Sequence, residues 1–236
     1  MTALTFLLLA TTVTIAAFVQ GSSGLGFALI AAPVIGIVQA SLLPVAVLML
    51  MIPLNCYIAW RERGNIDRHG AGWVTAGRLA GTAGGLAVLA VVPPQHLNLL
   101  IGVAIVLAAL VSLAAPSFTP GRCALLAAGT VTGVTETATG VGGPPLALVY
   151  QHHPAPVLRS TIAVCFLIGE IASLALLVLT GTTHLGQLRT AALLLPALAL
   201  GAFLSRFVHH RLNGPKMRVG VLSFALISGV ALLINL

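Results

Sequence analysis

The stretch TVTGVTETATGVGGPPLAL, Thr130 to Leu148, decides how this chain folds. It carries a carboxylate at Glu136, a run of threonines and glycines and a Pro-Pro pair, yet apolar runs flank it on both sides. Backbone that leaves a helix cannot face lipid, because each unpaired amide costs several kcal/mol there. The stretch therefore belongs in a protein-buried or water-filled cavity.

The rest of the chain sets that context. Of 236 residues, 58% are hydrophobic and 6% charged, whereas a soluble domain carries about 25% charged residues. The apolar residues come in long runs and show no ten-residue dyad alternation, which excludes a transmembrane barrel. The expectation is an all-α polytopic membrane protein. Ten arginines and one lysine stand against four acids, a net charge of +7. With no basic helix or aromatic platform beside them, these charges mark cytoplasmic loops and exclude nucleic-acid binding. Cys56, Cys123 and Cys165 are isolated, so neither a disulfide framework nor a metal site is expected. The N-terminus MTALTFLLLATTVTIAAF has no positive leading region and reads as a retained helix, not a signal peptide.

Ten apolar segments follow one another, near 2–20, 25–39, 42–60, 70–92, 97–115, 121–135, 140–151, 157–180, 187–208 and 216–235. Spanning the hydrocarbon core takes about 20 residues. Segments two and seven fall short of that, as half-helices, short tilted spans or re-entrant hairpins. They occupy equivalent places in the two halves. A shift of 116 residues lays Gly24 on Gly140, Gly26 on Gly142, Ala31 on Ala147, Ile52 on Ile168 and Ala59 on Ala175. With small gaps, Gly81 then meets Gly201. The chain thus divides at 118/119 into two repeats of about five segments each, 1–118 and 119–236, within one integrated membrane domain.

Charge placement tests this independently. Arg61, Arg63 and Arg68, then Arg122, then Arg159 with His152 and His153, then Arg206, Arg211, Lys216 and Arg218 occupy alternate joints. The positive-inside rule puts those joints in the cytoplasm and both termini on the opposite side, in the periplasm or exterior. Equivalent joints of the two halves differ in charge and so face opposite sides. That is an inverted-topology duplication, the build of many secondary transporters.

The glycine-rich breaks fall at segments 1/2 and 6/7. A helix N-terminus after such a break offers free N–H groups and a partial positive charge to an anion. Gln20, Ser22, Ser23, Gly24 and Gly26 in the first break, with Thr137, Thr139, Gly140, Gly142 and Gly143 in the second, are the candidate binding residues. The hydroxyls are read as added donors, and the glycines as allowing close backbone approach. The competing explanation is that the glycines serve tight helix packing. Two breaks at equivalent positions of inverted repeats favour the substrate site.

A charge within a span costs at least about 2.5–3.5 kcal/mol, so each needs a partner or a role. Glu136, beside the anion site, is a candidate for coupling proton movement to anion movement. Its alternative is a packing carboxylic acid bonded to nearby threonines. Glu170 lies deep in segment eight, and Asn55 recurs at its depth in the first half; either lines the cavity or ties helices together. Arg78 reads as a snorkelling side chain, with an inward-facing counter-charge as the alternative. Arg159 and Arg189, near segment ends, read as interfacial anchors.

The motifs GSSGLGFALIAAP (21–33) and GVTETATGVGGPPLAL (133–148) resemble those of the TauE/SafE family of sulfite exporters, also called TSUP permeases. The first copy lacks the GGP run of the second. The resemblance covers the whole chain. It implies a multi-pass inner-membrane protein moving sulfite, sulfonates or related organosulfur anions, with no cofactor. The residues alone lead to an anion-accommodating secondary transporter, with protons as a candidate coupling ion. The alternatives are an anion channel or an uptake permease for a non-sulfur organic anion. No GxxxxGK[ST], His-Glu-x-x-His or GxSxG pattern is present, so no ATP-driven or hydrolytic enzyme is expected.

Overall fold

The computed structural model describes residues 2–93, 96–114, 120–151, 153–208 and 215–234. His152, His209, His210 and Arg211 lie outside these, as do the 118/119 boundary and the side chains of Lys216 and Arg218. The described residues form ten α-helices and no strand. In order these are α1 (Ala3–Ser23), α2 (Phe27–Gln39), α3 (Val45–Arg61), α4 (Arg68–Val91), α5 (Leu97–Ala114), α6 (Arg122–Thr139), α7 (Gly143–Tyr150), α8 (Ala155–Leu179), α9 (Leu185–Val208) and α10 (Pro215–Ile234). Four of them, α1, α4, α8 and α9, are long and apolar enough to cross a membrane, and among the described residues Phe27–Leu42, Val45–Arg61, Asn98–Ala114 and Val219–Ile234 are shorter apolar stretches.

The helices are inside out by the standard of a soluble protein. Leu4, Leu7, Ile15, Leu107, Val178, Leu200 and Ile227 stand exposed, while Gln20, Asn55, Arg78, Glu136, Arg159 and Glu170 are buried. Hydrocarbon outside and polar groups satisfied inside is the arrangement a bilayer dictates.

α4 and α6 run parallel with their backbones nearly touching. A side chain on Gly77, Gly81 or Gly85 of α4 would strike the backbone at Leu126, Thr130 or Val134 of α6. One on Gly129 or Gly133 would strike Val74 or Arg78 in return. For these glycines the packing explanation holds. α1 lies parallel to α9 in the same manner, with Gly201 against the Thr14 carbonyl and Gly21 against Ser205. α3 packs antiparallel on α8, and α5 packs on α10.

One end of the bundle gathers Arg61, Arg159 and Glu62, while Arg189 lies at the other. At the first, basic end Arg61 donates to the Gly21 carbonyl at 2.6 Å, and Arg159 donates through Nε to both Glu62 oxygens at 2.9 and 3.0 Å. Arg159 also reaches the Ser22 carbonyl at 3.4 Å. The last carbonyls of a helix lack partners inside it, so two arginines closing the end of α1 satisfy both hydrogen bonding and the dipole. Arg159 is 1% exposed, which corrects its reading as an interfacial anchor.

Candidate functional site

Both interruptions are shorter than the sequence suggests. Gln20, Ser22 and Ser23 belong to the last turn of α1, and Glu136, Thr137 and Thr139 to the last turns of α6. Helix persists because hydroxyls bond backwards: Ser22 donates to Phe18 O at 2.8 Å, Ser23 to Val19 O at 2.9 Å and Thr139 to Thr135 O at 2.6 Å. Thr137 meets the Ser173 hydroxyl at 2.7 Å. These hydroxyls therefore brace the helix ends and are not the free donors the sequence suggested. Only Gly24–Gly26 and Gly140–Gly142 leave the helix.

The two helix ends are built alike. Gly24 and Gly140 adopt φ of 85° and 80°, a left-handed cap that a side chain strains. Their N–H groups close on the Gln20 and Glu136 carbonyls, both at 2.7 Å. Gln20 and Glu136 thus hold the same position four residues before the cap, 116 residues apart. The following amides are capped alike too, Leu25 N–H by Ser23 Oγ and Val141 N–H by Thr139 Oγ1, each at 3.2 Å.

The short helices begin beyond these caps, and their starts converge. A side chain on Gly143, the first residue of α7, would touch Leu25 in the other interruption, at 3.4 Å. One on Gly142 would meet Glu136 and Thr132 at 2.9 Å. α7 then runs toward the basic end, where Tyr150 OH donates to Asp67 Oδ2 at 3.3 Å. Pro144 and Pro145 have no N–H, so the backbone donors at the head of α7 reduce to Gly142 and Gly143. At the head of α2, Phe27 N–H is already taken by Gln20 Oε1 at 3.1 Å, leaving Ala28 and Leu29 beyond it.

A chain of buried polar groups starts from that cap. Gln20 Nε2 donates to Asn55 Oδ1 at 3.2 Å, and Asn55 Nδ2 donates to Glu170 Oε1 at 2.8 Å. The structure thus joins α1, α2, α3 and α8 through residues singled out separately in the sequence. Arg78 comes in from α4. It does not snorkel: it is fully buried and forms an ion pair with Glu136 of α6. Its guanidinium lies over the Phe166 ring, 4.8 Å from the centroid, and crosses α8 where Gly169 leaves room. Arg78 and Glu170 interact electrostatically. Beyond that ion pair, Nε and Nη1 of Arg78, Oε1 of Glu136 and Oε2 of Glu170 have no hydrogen-bond partner.

Sequence reasoning missed the azimuth of Arg78. A signal was present, since Gly70, Val74, Gly77, Gly81 and Gly85 recur at helical spacing and define the inward face, and Arg78 flanks it. It also missed Glu62 as the partner of Arg159. Among the described residues no group of three or more metal-ligating side chains forms.

With this geometry in view, the comparisons are specific in one respect. The chain belongs to the sulfite exporter TauE/SafE family, which it matches over residues 9–232. Neither the curated proteins nor the solved structures give a match. The chain is therefore a multi-pass membrane protein of a transport family.

Proposed function

We propose that this member of the TauE/SafE family is a secondary transporter that moves a small sulfur-containing anion, such as sulfite or a sulfonate, across a bacterial inner membrane. It works by alternating access between two inverted five-helix halves and catalyses no chemical conversion. The observation that carries this reading is the meeting of two interrupted helices, at Leu25 and Gly143, beside a fully buried arginine. Backbone amides of Gly142 and Gly143 and the Arg78 guanidinium offer a compact oxyanion both N–H donors and one full positive charge. Gln20 and Asn55 line the same region.

Packing supports the duplication. α1 on α9 corresponds to α6 on α4, α2 on α10 to α7 on α5, and α9 on α3 to α4 on α8, while α3 on α8 and α5 on α10 correspond to themselves. Adding or subtracting five from every helix number leaves these pairings unchanged, as two structurally equivalent halves require. The basic end, with Arg61, Arg122 and Arg159, faces the cytoplasm in this reading. Glu136 and Glu170 are the carboxylates available to couple a proton to the anion.

The test is thermal stabilisation of the purified chain by sulfite, sulfate, thiosulfate, sulfoacetate, taurine and common carboxylates. At least one sulfur oxyanion stabilises the wild type. Gly143→Val, whose Cβ meets only Leu25 at 3.4 Å, stays folded and is not stabilised. Equal stabilisation of that variant would remove the convergence point as the binding site.

A further inference from the structure

Three ionisable groups close on one another in the interior, one guanidinium and two carboxyls, and none is reached by solvent. Arg78 comes from α4, Glu136 from α6 and Glu170 from α8, each 0% exposed. The neighbouring elements bring no further carboxyl or basic group among the described residues, and one further ionisable group, the Cys165 thiol of α8, lies within electrostatic reach of Arg78. α3 contributes the neutral Asn55 and α1 the neutral Gln20. Cys165 of α8 contacts the Ala71 carbonyl at 3.9 Å, and Tyr150 of α7 turns to Asp67 at the basic end. α2 carries no ionisable residue. The guanidinium keeps its proton under all ordinary conditions.

We infer that this triad exchanges its own carboxylate for the transported anion, so that Glu136 is a built-in occupant of Arg78 and each monovalent anion bound takes up one proton. Electroneutrality drives the exchange, because an uncompensated charge in a membrane interior is strongly disfavoured. With both carboxyls ionised the triad carries one net negative charge. The empty site is neutral when one carboxyl keeps a proton. Glu136 is ion-paired with Arg78. Glu170 holds Asn55 through Oε1 and leaves Oε2 free to carry that proton.

An arriving monovalent anion takes Glu136's place on Arg78. Glu136 then acquires a proton, one O–H bond forms, and the loaded triad is again neutral. Departure of the anion reverses this: the proton leaves Glu136, which returns to Arg78. The pair is held through one contact, with Nε and Nη1 of Arg78 and Oε1 of Glu136 left without partners, which fits a pair built to separate rather than one locked by a full set of hydrogen bonds.

Net charge, not residue identity, then sets the coupling. In Glu136→Gln, Glu170 becomes the carboxylate that must be protonated when the anion binds. In Glu170→Gln, Glu136 keeps that role. Each single variant therefore retains uptake of one proton. Only the double variant leaves Arg78 unopposed and lets the anion bind without a proton.

The proposal rests on the transporter reading above, and the experiment separates their failures. Methanesulfonate serves as the probe, because its charge is constant from mildly acid to mildly alkaline buffer. Its affinity for the full chain in detergent is measured across that range, together with proton uptake on mixing, followed by a pH dye in weak buffer. The wild type and both single variants are expected to bind about tenfold more weakly per unit rise in pH, and the wild type to absorb one proton per anion. The double variant is expected to bind with an affinity that does not change with pH. Wild-type binding that is insensitive to pH and absorbs no proton overturns the exchange while leaving the transporter reading intact, as does a pH slope that survives in the double variant. If the double variant does not fold, loss of the slope in either single variant overturns it equally. Absence of binding by methanesulfonate, sulfite, sulfate and thiosulfate at every pH contradicts the transporter reading, and the exchange falls with it.

Discussion

Among the described residues, Arg78 is the one fully buried base that meets both intramembrane carboxyls. It sits eleven residues into α4, where its long stem could have carried the charge toward an interface. The glycines of the α4–α6 seam instead bring the two helices so close that Glu136 lies within its reach. Removing one member of a buried charged pair typically costs 2–5 kcal/mol, about thirtyfold or more in affinity. Arg78→Gln is therefore expected to weaken anion binding by at least that factor, read as the anion concentration needed for half-maximal thermal stabilisation. Gln20→Leu should act on stability instead. It uncaps the Phe27 N–H and leaves the Asn55 Oδ1 acceptor without its donor, a loss of about 1–3 kcal/mol for the orphaned groups. Its measure is the unfolding midpoint in detergent. The sequence marked Gln20, Asn55, Arg78, Glu136 and Glu170 one by one, because a polar residue in an apolar run is conspicuous. It could not mark them as a connected group. Helical spacing in a chain apolar on all sides gives depth along the helix but not the direction a side chain faces.

At the scale of the element, the ten helices fall close to the ten apolar segments, and the short ones fall where the breaks were read. The differences lie at the ends of α1 and α6. Runs of Ser, Thr and Gly look like loop in composition, yet in an interior without water a hydroxyl bonded to the carbonyl four residues back keeps the helix going. The helices stop only where a left-handed glycine takes over. Gly140→Ala forces a side chain into that conformation against Val47, with 3.3 Å between the added carbon and its nearest neighbour. A loss of about 1–2 kcal/mol in stability is expected, visible as a lower unfolding midpoint. Gly81→Leu meets the backbone of α6 itself and has nowhere to go. Its overpacking should cost about 3 kcal/mol or more and sharply reduce the yield of folded protein. A normal yield of Gly81→Leu would show that α4 and α6 do not approach as closely as described.

At the scale of the molecule, the claim is two equivalent halves facing opposite ways around a shared interior. Sequence carried this through charge: basic joints alternate along the chain, and equivalent joints differ. Packing adds the pairing of helices, which no linear pattern contained, since α1 meets α9 and α4 meets α6 across long stretches of sequence. Sidedness can be read by placing single cysteines at Gly64, Gly121 and Thr182 in a chain whose native cysteines are replaced. All three positions are exposed. A membrane-impermeant maleimide applied to intact cells freed of the outer membrane should label Thr182→Cys and spare the other two. Labelling of all three from one side would contradict the arrangement of the halves.

The most direct test is counterflow. Proteoliposomes loaded with unlabelled sulfite are diluted into a trace of labelled sulfite, and entry of label is followed against empty vesicles and against the Arg78→Gln variant. An alternating-access carrier gives a transient accumulation of label that saturates with sulfite, requires sulfite inside and is lost in Arg78→Gln. Label that enters at the same rate whether or not the vesicles are loaded, or that enters equally well without Arg78, would contradict an alternating-access carrier built around that residue.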